Sequence, residues 1–383
     1  MQMIEKTKKI FDSGKSDAQA TKVDPVKVSD FCFDAYSEYN HKLTERCKKF
    51  MQAKSGVLVY RRMRVAEVFS YGCRNMQQSL EWQLGALQKS MDYEADIPNF
   101  LEPWYGIGVI GTAFGLNYIW NPGQSPAVKP AFQTIDEALA YDIQPVKNTE
   151  VGKHSLEMIE YFLDQTKGRT PMSMGDIQSP FNNATNIVDT SNFLVSMIME
   201  PEKVLQFLDL LAGLEIDFYK EQEKLIGDAL VRPGHGFASS HVFEGFGMSD
   251  DNVVMVDEES YMNYVSPSFV KLGRAFGGPV HHSCGNFSDK TGMFQKIEGL
   301  KMVDAAFTAE TDPHPNPAAP FSETLAGTGI VLNARMVGDP DVVAETTASL
   351  WRPGMKLLAV TFSPSPQEQK EAYDIIHSIC RKN

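Results

Sequence analysis

Two periodicities divide this chain. From Val28 to Leu87, apolar residues recur at three- and four-residue spacing without proline in SDFCFDAYSEYNHKLTERCKKFMQ and VAEVFSYGCRNMQQSLEWQLGALQKSM. That is the pattern of amphipathic helices. It predicts a helical N-terminal extension, residues 1–95, with its apolar stripe packed on the rest of the molecule. The first 30 residues or so are polar and mixed in charge, and read as a frayed tail leading into the first helix.

After Asp96 the texture changes to the glycine-rich EPWYGIGVIGTAFG and the proline-punctuated loop NPGQSPAVKP. Beyond it, short apolar runs alternate with longer amphipathic stretches. The strand candidates are TPMSMGD (170–176), HGFASSHVF (235–243), GPVHHSCGN (278–286), KMVDAAFT (301–308), GIVLNARM (329–336) and LLAVTF (357–362). Helix starts are marked by Pro201, Asp257 and the pair Pro364 and Pro366. Strand and helix alternating across residues 96–383 predict a parallel sheet. The length and the lack of a glycine-rich dinucleotide turn favour a (β/α)8 barrel over a doubly wound sheet.

Composition narrows the function classes. The 383 residues carry a net charge of −13, which disfavours nucleic acid as a partner. No stretch approaches the roughly 18–20 uninterrupted apolar residues of a membrane span, and no secretory signal is visible at the start. The five cysteines are odd in number and widely spaced, which fits reduced thiols and a cytoplasmic location.

Barrel chemistry sits at the C-terminal ends of strands, and four segments meet that condition. In VHHSCGN, His282 and Cys284 are two apart, so on a strand both side chains face one way and form half of a Zn2+ site. His281 points to the opposite face and reads as structural. In HVFEGFGMSDD, Glu244 closes an apolar run, with Asp250 and Asp251 ahead of the next helix. The two aspartates read equally well as helix-start charge. In MGDIQSPFNNATNI, Asp176 and Gln178 are placed to hold polar substrate groups, or serve only as turn residues. In AETDPHPNP, Glu310 follows a strand end directly, whereas His314 reads as a surface loop residue.

These segments, with AFGLNYIWNPGQSPAVKPAFQTIDEA, the MEPEKVLQFLDLL helix and above all AFGGPVHHSCGN, resemble the uroporphyrinogen-decarboxylase-like barrels over roughly residues 100–375. The likeness is to their cobalamin-dependent methyltransferase branch. The resemblance implies zinc on His282 and Cys284, with a corrinoid carried by a partner protein. In that branch a further cysteine follows the last strand, where this chain has Val360, Thr361 or Ser363, so Glu244 becomes the candidate third ligand. Asp176, Asp250 and Glu310 are the expected catalytic carboxylates. Phe181 and Phe246 are the expected corrinoid-facing aromatics, in a broad cleft rimmed by loops 121–130, 177–188, 244–252 and 311–319. The implied activity moves a methyl group between a small methylated substrate and the corrinoid, in the donor-demethylating direction. Donor identity and a homodimer stay open. So do two other readings: a decarboxylase or lyase on the same scaffold, and a non-catalytic ligand-binding barrel.

Overall fold

Six short strands, β1 (Gly56–Arg61), β2 (Phe246–Ser249), β3 (Pro279–His282), β4 (Met302–Ala306), β5 (Val331–Met336) and β6 (Lys356–Thr361), form the parallel centre of the chain in a computed structural model describing residues 18–381. Their order is β1-β6-β5-β4-β3-β2, and every neighbouring pair is parallel. Two irregular staves close the gap between β2 and β1. Asp96 N donates to Val59 O, Leu101 bridges Met172, and Gln178 bridges Ser249. With these the ring has eight staves and is the expected (β/α)8 barrel.

β4, β5 and β6 are buried at every position, as strands covered on both faces must be. Their side chains alternate between two cores. Leu58, Tyr60, Val280, Met302, Val331, Leu358 and Val360 point into the lumen, where they meet Phe237, Ala238 and Phe243. Val59, Val303, Ala305, Leu332, Ala334 and Ala359 pack outward in the larger core under the helices. The segment 235–243, expected as a strand, is therefore a plug. It fills the lumen, and Ala238 N donates to Asn333 Oδ1 at 3.2 Å. The strand begins only after Glu244 and Gly245, as β2.

The N-terminal extension has its helices at Phe33–Gln52 and Met76–Ser90. Between them GVLVYR is not helical: it is β1, drawn into the barrel by β6 along its whole length. The expected tail lies partly outside the described residues. The helices starting at Pro201, Asp257 and Pro366 form as their sequence starts indicate. No helix among the described residues is long and apolar enough to cross a membrane.

Candidate active site

β3 ends at His282, and strand alternation sends its two histidines apart. His281 is fully buried among the rings of Tyr261, Phe269, Phe287 and Phe294. Burial, with the charge of His282 adding to it, lowers its pKa to about 3 and leaves it neutral.

His282 turns into the lumen, where Asp304 of β4 meets it. Their Nδ1 and Oδ2 atoms are 2.5 Å apart. Asp304 also accepts from Asn333 Nδ2 and, at 2.9 Å, from Arg335 Nε, both on β5. Burial by itself would lower the His282 pKa, but the Asp304 carboxylate outweighs it and raises the value to about 10. Burial likewise opposes ionisation of Asp304, and Arg335 and His282 overcome it to hold the carboxyl below its ordinary value. The result is a fixed ion cluster inside the barrel, with Nδ1 of His282 committed and Nε2 facing the mouth.

Nε2 faces two further donors. Cys284 Sγ lies 3.6 Å away and Asp251 Oδ1 3.7 Å away. One ligand atom each from Asp251, His282 and Cys284 falls within a mutual 4.8 Å, so these three side chains can hold one metal ion. Backbone contacts set the loop: Cys284 N donates to Asp251 Oδ1 and Gly285 N to Asp312 Oδ2, both at 2.7 Å. Gly285 has φ +75°, a left-handed turn that glycine adopts without strain and that brings Cys284 back over the strand end.

Behind the three ligands Asp250 is fully buried, accepting from Ser179 Oγ at 2.6 Å and Tyr261 Oη at 2.5 Å. Burial raises its pKa to about 6 against those two hydrogen bonds. It pins β2 to the neighbouring stave and faces away from the mouth.

A second polar group stands across the mouth, with Arg62, Glu102 and Asp176 at the ends of staves one to three and His235 at the head of the plug. Glu102 Oε2 is 2.6 Å from His235 Nδ1 and 3.5 Å from Arg62 Nη2, and accepts from Gly236 N at 3.3 Å. Burial opposes its charge, but Arg62 and His235 lower its pKa to about 2. His235 Nε2 is 3.4 Å from Asp176 Oδ2, which takes the Trp104 indole N–H at 2.8 Å. Phe237, two residues after His235, packs edge-on against His282, their ring centroids 6.1 Å apart.

The structure thus brings His282 and Cys284 together and sets Asp176 in the opposite wall. Other expectations need correction. Glu244 precedes β2, at the N-terminal end of the barrel, where it pairs with Lys301 at 2.9 Å. A four-residue strand, about 13 Å of rise, separates it from Asp250 and Asp251, so it cannot share a metal with His282. Asp251 fills that place. Phe181 and Phe246 are fully buried and do not face a cleft. Phe181 packs on Phe193, and Phe246 stacks on Phe276 at 4.1 Å, because both point outward to the helical layer. Glu310 is exposed on the turn after β4, and Asp250 is committed to buried contacts. Sequence reasoning missed Glu102, His235, Asp304, Asn333 and Arg335. Asp304 and Arg335 carried a signal, since each is a charged residue within a short run that is otherwise mostly apolar.

The family model of uroporphyrinogen decarboxylase (URO-D) matches residues 40–357, so the chain belongs to that family. Its fold is similar to that of a methyltransferase from Methanosarcina mazei. The TM-score is 0.62 at 14% identity, covering 89% of this chain and 98% of the other. No curated protein sequence matches the chain.

Proposed function

We propose that this chain is a zinc-dependent methyltransferase, passing a methyl group from a small methylated donor to a corrinoid on a partner protein. The observation that carries the reading is the convergence of Asp251, His282 and Cys284 at the C-terminal end of β3, with His282 anchored by Asp304. The likeness to a methyltransferase of the same fold supports it.

The donor set fits zinc. One imidazole nitrogen, one thiolate and one carboxylate make three protein ligands and leave a fourth position for substrate, the usual form of a catalytic site. Bound there, zinc supplies Lewis acidity to the donor heteroatom. The chain's own residues do the rest. Asp304 keeps Nδ1 of His282 hydrogen-bonded, so Nε2 is the atom offered to the metal once its proton leaves. Arg335 and Asn333 hold Asp304 in place, and the Cys284 N–H orients Asp251. A set with one thiolate and one carboxylate carries a harder ligand than a two-thiolate set, and it favours activation of a donor over activation of a thiol.

Elemental analysis of untagged protein is the test. Wild type is expected to hold one zinc per chain, Cys284→Ala and Asp251→Ala to lose it, and Glu244→Gln to keep it. A Cys284→Ala protein with stoichiometric zinc would overturn the site. Methyl transfer from a methoxyarene or methylamine is expected only when Co(I) cobalamin or a corrinoid protein is supplied, with loss of the Co(I) absorbance. Equal turnover without a corrinoid would favour the lyase reading.

A further inference from the structure

The group facing the metal site has the construction of a proton-transfer pair. Glu102 is 7% exposed and directs its Oε2 at Nδ1 of His235, so the imidazole keeps one orientation. Phe69 at 5.1 Å and Trp104 at 6.4 Å flank the ring. That leaves Nε2 as the working atom, 3.4 Å from Asp176 Oδ2, the only carboxylate near it among the described residues. A buried carboxylate fixing one nitrogen of a histidine, with the other presented to a cleft, is how general acid–base catalysts are assembled. Glu102 stands on the second stave and His235 at the head of the plug that leads into β2, and the metal cluster does not hydrogen-bond to either.

We infer that His235, oriented by Glu102, is the proton donor to the leaving group of the methyl-transfer reaction; this rests on the function proposed above. The carbon–heteroatom bond of the donor breaks as the methyl group passes to the reduced corrinoid of the partner. The bonding electron pair stays on the heteroatom, and the proton on His235 Nε2 moves to it. His235 is then reprotonated from solvent, to which its side chain is 19% exposed. Phe237, two residues on from His235 and packed edge-on against His282, is the floor over which such a donor would lie. Glu102 is a positioning residue, acting through the imidazole.

The test uses full-length zinc-loaded protein and Co(I) cobalamin, with two donors of different leaving-group basicity. Guaiacol releases a basic phenolate, whereas 4-nitroanisole releases a stable nitrophenolate that departs without a proton. His235→Ala is expected to lower kcat on guaiacol by about 10²–10⁴-fold, to leave 4-nitroanisole turnover within a few-fold, and to regain part of the lost rate in added imidazole. Glu102→Gln is expected to show the same donor dependence in milder form, and both variants to keep their zinc. An equal loss on both donors without imidazole rescue, or no loss on either, would overturn the assignment and leave the methyltransferase reading standing. A wild-type protein inactive on both donors would overturn the assignment of His235 as proton donor to an aryl-ether leaving group, and turnover of a methylamine with Co(I) cobalamin would show that the methyltransferase reading stands without it.

Discussion

At the level of single residues, Asp304 decides how His282 is held. It is one of few carboxylates inside the barrel, and it is shared by His282, Asn333 and Arg335. Its removal would free the His282 ring to turn and leave Arg335 buried beside no counter-charge. Asp304→Asn keeps the shape and one hydrogen bond but loses the charge, so zinc affinity is expected to fall about 10–100-fold, as for other partners behind metal-bound histidines. Competition with a chromogenic chelator measures this. Unchanged affinity would show that the ring is held by packing alone. Asp250 and Asp251 make the complementary point. They are adjacent and chemically identical, yet the backbone buries one among hydroxyls and offers the other to the mouth.

Helix and strand meet most closely where Ser266–Arg274 crosses β3. Gly273 sits so near the start of the strand that a Cβ would come within 2.4 Å of Pro279 Cα and 2.5 Å of Pro279 N, both backbone atoms that cannot rotate away. Gly273→Ala must therefore push the helix off the strand that carries His282. A cost of about 1–3 kcal/mol is expected from overpacking, read as a lower urea midpoint at unchanged slope. A stabilised Gly273→Ala protein, the usual outcome for a solvent-facing helix glycine, would contradict the close approach. The same contact fixes the strand that carries His282: β3 is held from outside by this helix and from inside by the plug at 235–243.

Over the whole molecule, closure of the barrel depends on joining the first stave to the last. Asp96 does much of this. It accepts from Arg46 at 2.9 Å, Tyr373 at 2.7 Å and Val59 N at 3.0 Å, and contacts His377 Nε2 at 2.8 Å. It thereby ties the helix Phe33–Gln52, β1 and the C-terminal helix Pro366–Arg381 together. Burial opposes its ionisation, but His377 and Tyr373 hold its pKa below the ordinary 3.8. A depressed carboxylate adds stability above its unfolded pKa and loses it as pH falls through the folded one. Asp96→Asn is therefore expected to cost on the order of 3 kcal/mol at pH 7, with the gap to wild type narrowing below pH 3.8. Urea unfolding at pH 7 and pH 3 measures it, and a gap independent of pH would refute the ionic role.

How much of this was legible follows from what is local and what is not. The two-residue spacing of His282 and Cys284 pointed to a shared face, but β3 ends at His282, and the turn at Gly285 is what brings Cys284 back over it. Periodicity also determined β3 to β6 and the long helices, because a side chain's direction along an element depends only on that element. Tertiary structure decided the rest. The run HVFEGFGMSDD contains two apolar stretches split by glycine, and only the neighbouring staves select the second as β2. That choice moved Glu244 to the far end of the barrel and brought Asp251 to the metal site. β1 looked helical because its helical neighbours set the local pattern, while the hydrogen bonds that make it a strand come from β6, some 300 residues away in the chain. Glu102, His235 and Asp176 come from three separate staves and acquire a common chemistry only when the ring closes, since no periodicity encodes a contact between distant segments.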